Sequence, residues 1–511
     1  MYTFSSRLKT FSLILMALGA IGIGIGFYQA PKDITQVEEI LKHQDGAHGG
    51  GHDEEAIEHG KKPASHDDKK THDATKSDVG HAKSATETHV ENETTIVKNS
   101  VASSTTTVET ISATNAVVEK QQNIVKRKDV KVDEHAEHEK HLVHVLHQLQ
   151  NKPWSALYVA CLFLMLISLG VLAFYAIQQV AQAGWSPVLF RVMQGITAYL
   201  PVGSIIFFVL LILAGMHFNH LFVWMDAELL DPAKPTFDKL IAGKTGYLNV
   251  PFWLIRAAIF LVGWNLYRYY SRQNCLAQDE SDDNSNYKKN FKLSAAFLVF
   301  FIVTESIMSW DWIMSVDPHW FSTLFGWYVF ASFIVSGVTT IAIITLYLKS
   351  RGYLEYVNNS HIHDLAKFMF GFSVFWTYLW FSQFMLIWYS NIPEEVTYYI
   401  TRIEDYNLPF FGMVVMNFVL PVIILINSDF KRLSWIVVMA GIIILCGHYL
   451  DFYNMIMPST VGNQWFIGLS EISSLAFFVG LFIFVVFTAL TKVPLLPKRN
   501  PFIEESKHFH Y

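Results

Sequence analysis

Charge is scarce in this sequence. Of its 511 residues, 16% are Asp, Glu, Lys or Arg, against about a quarter in a soluble globular protein. That shortage excludes an ordinary water-facing surface over most of the chain. Cysteine is scarcer still, and Cys161, Cys275 and Cys446 lie far apart. No pair has the CxxC spacing of a zinc or iron–sulfur site, and no CxxCH offers covalent haem attachment. Cys161 and Cys446 fall inside apolar runs, where cysteine behaves as a small hydrophobe. The formal net charge of −6 argues against nucleic acid as a partner. Electrons carried through cysteine-bound cofactors are therefore not expected on this chain.

What the sequence has is apolar length. Hydrophobic residues make up 52% and aromatics 15%. A membrane span takes roughly 20 apolar residues, and runs of that length occur near 11–30, 153–178, 187–216, 251–270, 293–314, 321–348, 366–390, 409–427, 433–457 and 466–491. The expected fold is all-α and polytopic, with about ten transmembrane helices. Pro153, Pro187, Pro251, Pro318, Pro393, Pro409 and Pro458 mark boundaries, while Pro201 and Pro421 fall inside runs and predict kinks. The first run follows Arg7 and Lys9 and ends Tyr28-Gln29-Ala30-Pro31. That ending does not suit signal cleavage, so residues 1–30 are read as an anchor helix.

Lys and Arg in short loops set the orientation. With ten spans and a cytoplasmic N-terminus, 17 such residues fall inside, among them Arg191, Arg268, Lys349, Lys431 and Lys498, against four outside, Lys234, Lys239, Lys244 and Arg402. Both termini are therefore expected in the cytoplasm, with 496–511 as a tail. The segment 31–150 is expected on the outer face and holds 13 of the 21 histidines, including His48, His52, His59, His66, His72, His81 and His89. Their irregular spacing among Gly, Asp and Lys reads as a disordered tether. Its last part differs, with His135, His138, His141, His144 and His147 interleaved with Leu142, Val143, Val145 and Leu146. This pattern predicts an amphipathic helix on the membrane surface that turns inward at Pro153, with a metal site on that face as the alternative.

Ionisable residues inside a bilayer are costly and so are functional candidates by default. Glu305, Asp311, His448, Asp451 and Glu471 are the expected proton-handling or quinol-facing groups, with Arg256, His217 and Asp226 in support. On the orientation above, all fall in the outer half. The inner half offers mainly neutral groups, among them Thr197, Ser204, Thr339, Thr340 and Asn417. His448 and Asp451 are three residues apart and share a helix face, where imidazole and carboxylate can exchange protons. The bland alternative is that Asp451 caps or pairs near the interface. Arg256 is read as snorkelling, or as neutralising an acid such as Asp226 or Glu305. A weak repeat pairs Asp311-Trp312-Ile313-Met314, leading to Pro318, with Asp451-Phe452-Tyr453-Asn454, leading to Pro458. It suggests that helices two to five and six to nine are related bundles.

The run from Ser309 to Trp320 (SWDWIMSVDPHW), the His448-to-Tyr453 stretch (HYLDFY) and the His-rich outer segment after one anchor together resemble the ActF-type subunits of Alternative complex III. That complex is a bacterial quinol:cytochrome c oxidoreductase, and these subunits belong to the NrfD/PsrC-like membrane proteins. The likeness covers about Lys140 onward and, in layout, the N-terminal part. It implies two four-helix bundles plus two peripheral helices, with 151–495 as the NrfD-like domain. It also implies partners: a multihaem cytochrome c, an iron–sulfur subunit and an ActC-like membrane subunit, in the bacterial inner membrane with the His-rich segment periplasmic. No covalent cofactor is implied; a quinone, menaquinone in such chains, is the ligand to consider. The role so implied is a proton pathway, a quinol-facing pocket, or both. A solute transporter, a haem b cytochrome using His217 and His448, and a purely structural scaffold are the competing readings.

Overall fold

The computed structural model describes residues 2–48 and 109–510. Half of the His-rich tether expected over 31–150, including His52 to His89, lies outside them. By packing, the chain forms two units, one of Met1–Val37 with His141–Tyr511 and the other of Glu38–Lys140. Among the described residues there is no strand. Ten helices of the described residues are long and apolar enough to cross a membrane, and they are numbered here α1 (Ser6–Gln29), α2 (His141–Val180), α3 (Pro187–Gly215), α4 (Val250–Glu280), α5 (Ser285–Val316), α6 (Phe325–Ser350), α7 (Asn359–Ser390), α8 (Asn407–Leu425), α9 (Ser434–Val461) and α10 (Leu469–Leu490). All ten apolar runs are helices, as their length and composition predict, and the chain is an all-α polytopic membrane protein.

Most of these helices are apolar on the outside. In α4, Ile255, Ile259, Val262 and Leu266 form an exposed stripe, and in α5 Val299, Ile302 and Val303 do the same. Such stripes belong against lipid rather than water. The second bundle closes as a ring, α6 on α7, α7 on α8, α8 on α9 and α9 on α6. In the first, α3 packs on α4 and α4 on α5, and the Tyr158 hydroxyl of α2 donates to Trp312 O of α5 at 2.8 Å. α1 and α10 pair with each other outside both bundles. Two four-helix bundles with two peripheral helices are thus present.

α2 and α6 are buried almost throughout, because each is the first helix of its bundle and the two press together. Gly170 and Gly337 make that approach possible. A Cβ at Gly170 would lie 2.5 Å from Phe333 O, and one at Gly337 2.9 Å from Val171 N. Without a hydrophobic drive between helices in lipid, such backbone contact supplies much of the attraction.

The prolines behave in two ways. Pro201 and Pro421 do distort their helices. A 3₁₀ turn at Thr197–Tyr199 precedes Pro201 and a π turn at Val415–Val419 precedes Pro421. Pro153 and Pro458 do not end theirs. Pro153 lies inside the helix that ends at Val180, so the turn expected there is not made. At Pro458 the reason is visible. Proline cannot bond the carbonyl four residues back, and the Arg402 Nε–H donates to that carbonyl, Asn454 O, at 2.9 Å. α9 therefore continues to Val461. His448 then stands 14 residues from Ser434 and 13 from Val461, at the middle of α9 rather than well into its expected outer half.

Candidate functional site

Asp451 is completely buried in the second bundle. Every neighbour of its carboxylate that hydrogen-bonds it is a donor or an imidazole. The Tyr328 hydroxyl donates to Oδ1. Ser332 Oγ donates to Oδ2 at 2.8 Å, and so does Trp376 Nε1 at 2.7 Å. His448 Nδ1 lies 3.5 Å from Oδ2 and 3.0 Å from Ser332 Oγ. The His448 ring stands edge-on to Trp376 at 5.4 Å. Three helices, α6, α7 and α9, thus converge on one carboxylate. Donors aimed at a carboxylate favour its charged form. Burial in an apolar bundle opposes that charge.

The surroundings of this cluster are incompletely satisfied. His448 Nε2 and both side-chain polar atoms of Asn417 are buried with no hydrogen-bond partner among the described residues. Native interiors rarely leave such groups orphaned. Below Ser332, α6 carries Ser336 and Thr340, whose hydroxyls donate to Ser332 O at 2.7 Å and Ser336 O at 2.8 Å. Tyr328, Ser332, Ser336 and Thr340 recur every four residues and so share one face over about 18 Å.

Tyr328, Ser332 and Trp376 were not among the expected site residues. Each reads as an ordinary membrane-helix residue when taken singly. The i, i+4 recurrence of hydroxyls on α6 is the signal that reveals two of them.

The other expected residues separate into different roles. Asp311 is buried in the first bundle and gripped by Arg256, Nε to Oδ2 at 2.6 Å and Nη2 to Oδ1 at 3.0 Å. The Arg256 guanidinium also lies over the Tyr247 and Phe252 rings, at 4.0 and 4.3 Å. Its partner is thus Asp311, not Asp226 or Glu305. Bidentate pairs of this kind are among the stronger charge-assisted hydrogen bonds. Glu305 is buried and, among the described residues, its carboxylate accepts from serine hydroxyls alone, Ser306 and Ser309, each at 3.2 Å. No ion pair reaches it among the described residues. Glu471 is buried at the start of α10, where its Oε2 accepts from Gly468 N at 2.8 Å. That bond is the reach-back of a capping box. His217 and Asp226 lie apart, both exposed. His217 follows α3 with φ of 61°, and Asp226 Oδ1 accepts from Glu228 N at 3.0 Å.

The opposite end of the molecule is less neutral than the sequence suggests. Arg191 is buried and pairs with Asp279 at 2.5 Å. Beside it the Tyr175 hydroxyl receives Gln179, Gln194 and Asn290 amides at 3.0, 3.1 and 3.2 Å. The sequence places Arg191 among the loop charges, and the fold buries it.

Two cavities bear on the site. An apolar cleft of about 630 Å³ opens between α9 and α10, backed by α2 and α6, and includes Ile442, Cys446, Tyr449, Val479 and Phe482 in its wall. The Tyr449 hydroxyl there is buried without a partner among the described residues. A second pocket, of about 240 Å³, lies at the end where α5 finishes and α6 begins, with Asp317, His319, Thr401, Arg402 and Ser459 in its wall. No set of three metal-ligating side chains occurs among the described residues. His147 instead stacks on His220 at 4.9 Å.

No protein-family model matches the chain, and no curated protein does.

Proposed function

We propose that this chain is a membrane subunit of a respiratory quinol:cytochrome c oxidoreductase of the Alternative complex III type, handling protons at Asp451 while partner subunits carry the electrons. The observation that carries the proton reading is the fully buried Asp451 carboxylate, which hydrogen-bonding donors hold with, among the described residues, only an imidazole as a basic neighbour. Proton-handling groups need a site where neither protonation state is overwhelmingly preferred. Ionisable groups within a membrane domain are functional candidates by default, proton relays among their roles. The Arg256–Asp311 pair is explained by its two bonds and is assigned to the scaffold, whereas Glu471 caps α10 through Oε2 and keeps a buried Oε1 with no partner among the described residues, so it stays with the proton-handling groups. Glu305 stays with the proton-handling groups, because it is buried beside hydroxyls alone.

The complex assignment rests on the resemblance of the segments 309–320 and 448–453. The partners are then the multihaem cytochrome c, the iron–sulfur subunit and an ActC-like membrane subunit. The charge asymmetry of the short loops supports cytoplasmic termini and a periplasmic His-rich segment in the bacterial inner membrane. A quinone such as menaquinone has room for its chain in the apolar cleft, with the Tyr449 hydroxyl free to meet a ring oxygen.

The test is to tag the chain, extract it gently from native membranes and identify what co-purifies by mass spectrometry and visible absorbance. Multihaem cytochrome and iron–sulfur subunits in fixed ratio are expected. A colourless protein that purifies alone contradicts the assignment and brings the transporter reading forward.

A further inference from the structure

Arg402 is almost fully buried, yet among the described residues it makes no ion pair. Its bonds go to backbone carbonyls: Asn454 O at 2.9 Å, Tyr398 O at 2.7 Å and Met455 O at 3.4 Å. Its guanidinium lies 3.3 Å from the centre of the Tyr398 ring. One side of this pair faces the 240 Å³ pocket, whose wall contains both Tyr398 and Arg402. The other side faces a small void of about 10 Å³, walled by Tyr328, Tyr398, Tyr399, Arg402 and Asn454 among others. A void of that size holds about one water, provided polar partners surround it. Partners are present. Asn454 Oδ1 is a buried acceptor with nothing bonded to it among the described residues, and the tyrosines and Arg402 line the same space. Tyr328 in turn donates to Asp451.

We infer that Asp451 exchanges protons with the face where α5 ends and α6 begins, through a single water held between Tyr328 and Arg402. The route is surface pocket, Arg402–Tyr398 wall, water, Tyr328, Asp451. The step balances without any co-reactant. Tyr328 passes its hydroxyl proton to the Asp451 carboxylate as it accepts one from the water, the water takes one from the Tyr398 hydroxyl, and Tyr398, which borders both spaces, takes one from water in the pocket. Tyr328 ends unchanged and Asp451 ends neutral; release runs the same steps in reverse. The uncompensated Arg402 charge is a positioning element, holding the wall closed to solvent cations while leaving the water in place.

This route rests on the reading of Asp451 as a proton-handling group, and the experiment separates the two. Ser459 is half-buried in the pocket wall and outside the hydrogen-bonded route. Ser459→Cys is introduced into the full chain in its native assembly, in sealed vesicles, and treated from that face with a membrane-impermeant cationic thiol reagent. Labelling is verified by mass. Cys161 and Cys275 are buried and Cys446 faces the apolar cleft, so the unmutated chain serves as the unlabelled control. Labelling is expected to cut proton coupling at least tenfold while electron transfer persists, with Asp451→Asn giving the same loss. If labelled Ser459→Cys couples normally although Asp451→Asn does not, the route is wrong and the proton reading stands. If Ser459→Cys cannot be labelled, the pocket is closed to water and the route is wrong. If Asp451→Asn itself couples normally, both fail.

Discussion

Arg256 holds Asp311 in two bonds of 2.6 and 3.0 Å, whereas Asp451, in the fourth helix of the other bundle, has no such cation among the described residues. The repeat seen in sequence thus places two acids in related helices with opposite surroundings. Removing one partner of the first pair leaves a buried charge uncompensated, at a cost of about 3–5 kcal/mol. Arg256→Gln and Asp311→Asn should each lower the thermal stability of the purified chain, and the double variant should regain part of the loss. Equal losses that simply add would show that the pair is not coupled.

Tyr328→Phe removes the donor to Asp451 Oδ1 without changing packing volume much. Proton coupling should fall by about tenfold or more, within the range that positioned acid–base groups supply, while yield and melting temperature stay near those of the parent. Glu305→Gln should behave in the same way. A Tyr328→Phe chain that unfolds at markedly lower temperature would recast Tyr328 as a packing residue.

The α2–α6 contact tolerates no side chain at Gly337. Gly337→Leu should abolish stable insertion of the bundles, and Gly337→Ala should lower stability measurably, since a Cβ meets Val171 N at 2.9 Å. Gly371, with open space around it, is the control position, and its change to Ala should be silent. Comparable loss at both sites would remove the close-approach explanation.

Outside the membrane, Asp238 caps the short helix Lys239–Gly243. The Ile241 amide holds its carboxyl below the ordinary value, helped by His319 and the Leu240 amide. A carboxyl depressed on folding adds stability above its unfolded value, about 3.9, and that contribution is lost as pH falls through the lower folded value. Amide exchange at Leu240 and Ile241 should therefore accelerate below about pH 4, relative to neighbouring loops, and Asp238→Asn should remove that pH dependence. Unaltered pH dependence in the variant would assign it elsewhere.

All ten spans were legible because a bilayer demands long apolar runs and gives little latitude in their length. Their ends were less legible. Pro153 and Pro458 mark boundaries by local rules, but a tertiary partner such as Arg402 can take up the carbonyl that proline leaves, and the helix goes on. Charged residues near helix ends were ambiguous for a related reason. Arg191 counts as a loop charge until Asp279 is seen beside it, and Arg256 gives no hint of choosing Asp311. In the site, His448 and Asp451 announced themselves by cost, being ionisable in an apolar helix. Tyr328, Ser332 and Trp376 did not, because hydroxyls and indoles are cheap there and only the fold brings them onto one carboxylate.

The most direct measurement is proton translocation per electron in the assembled complex carrying Asp451→Asn, reconstituted in sealed vesicles, with assembly verified by subunit composition. The account predicts an intact complex whose proton yield falls at least tenfold per electron. A complex that assembles, turns over and pumps like the parent would contradict it and leave Asp451 a structural residue.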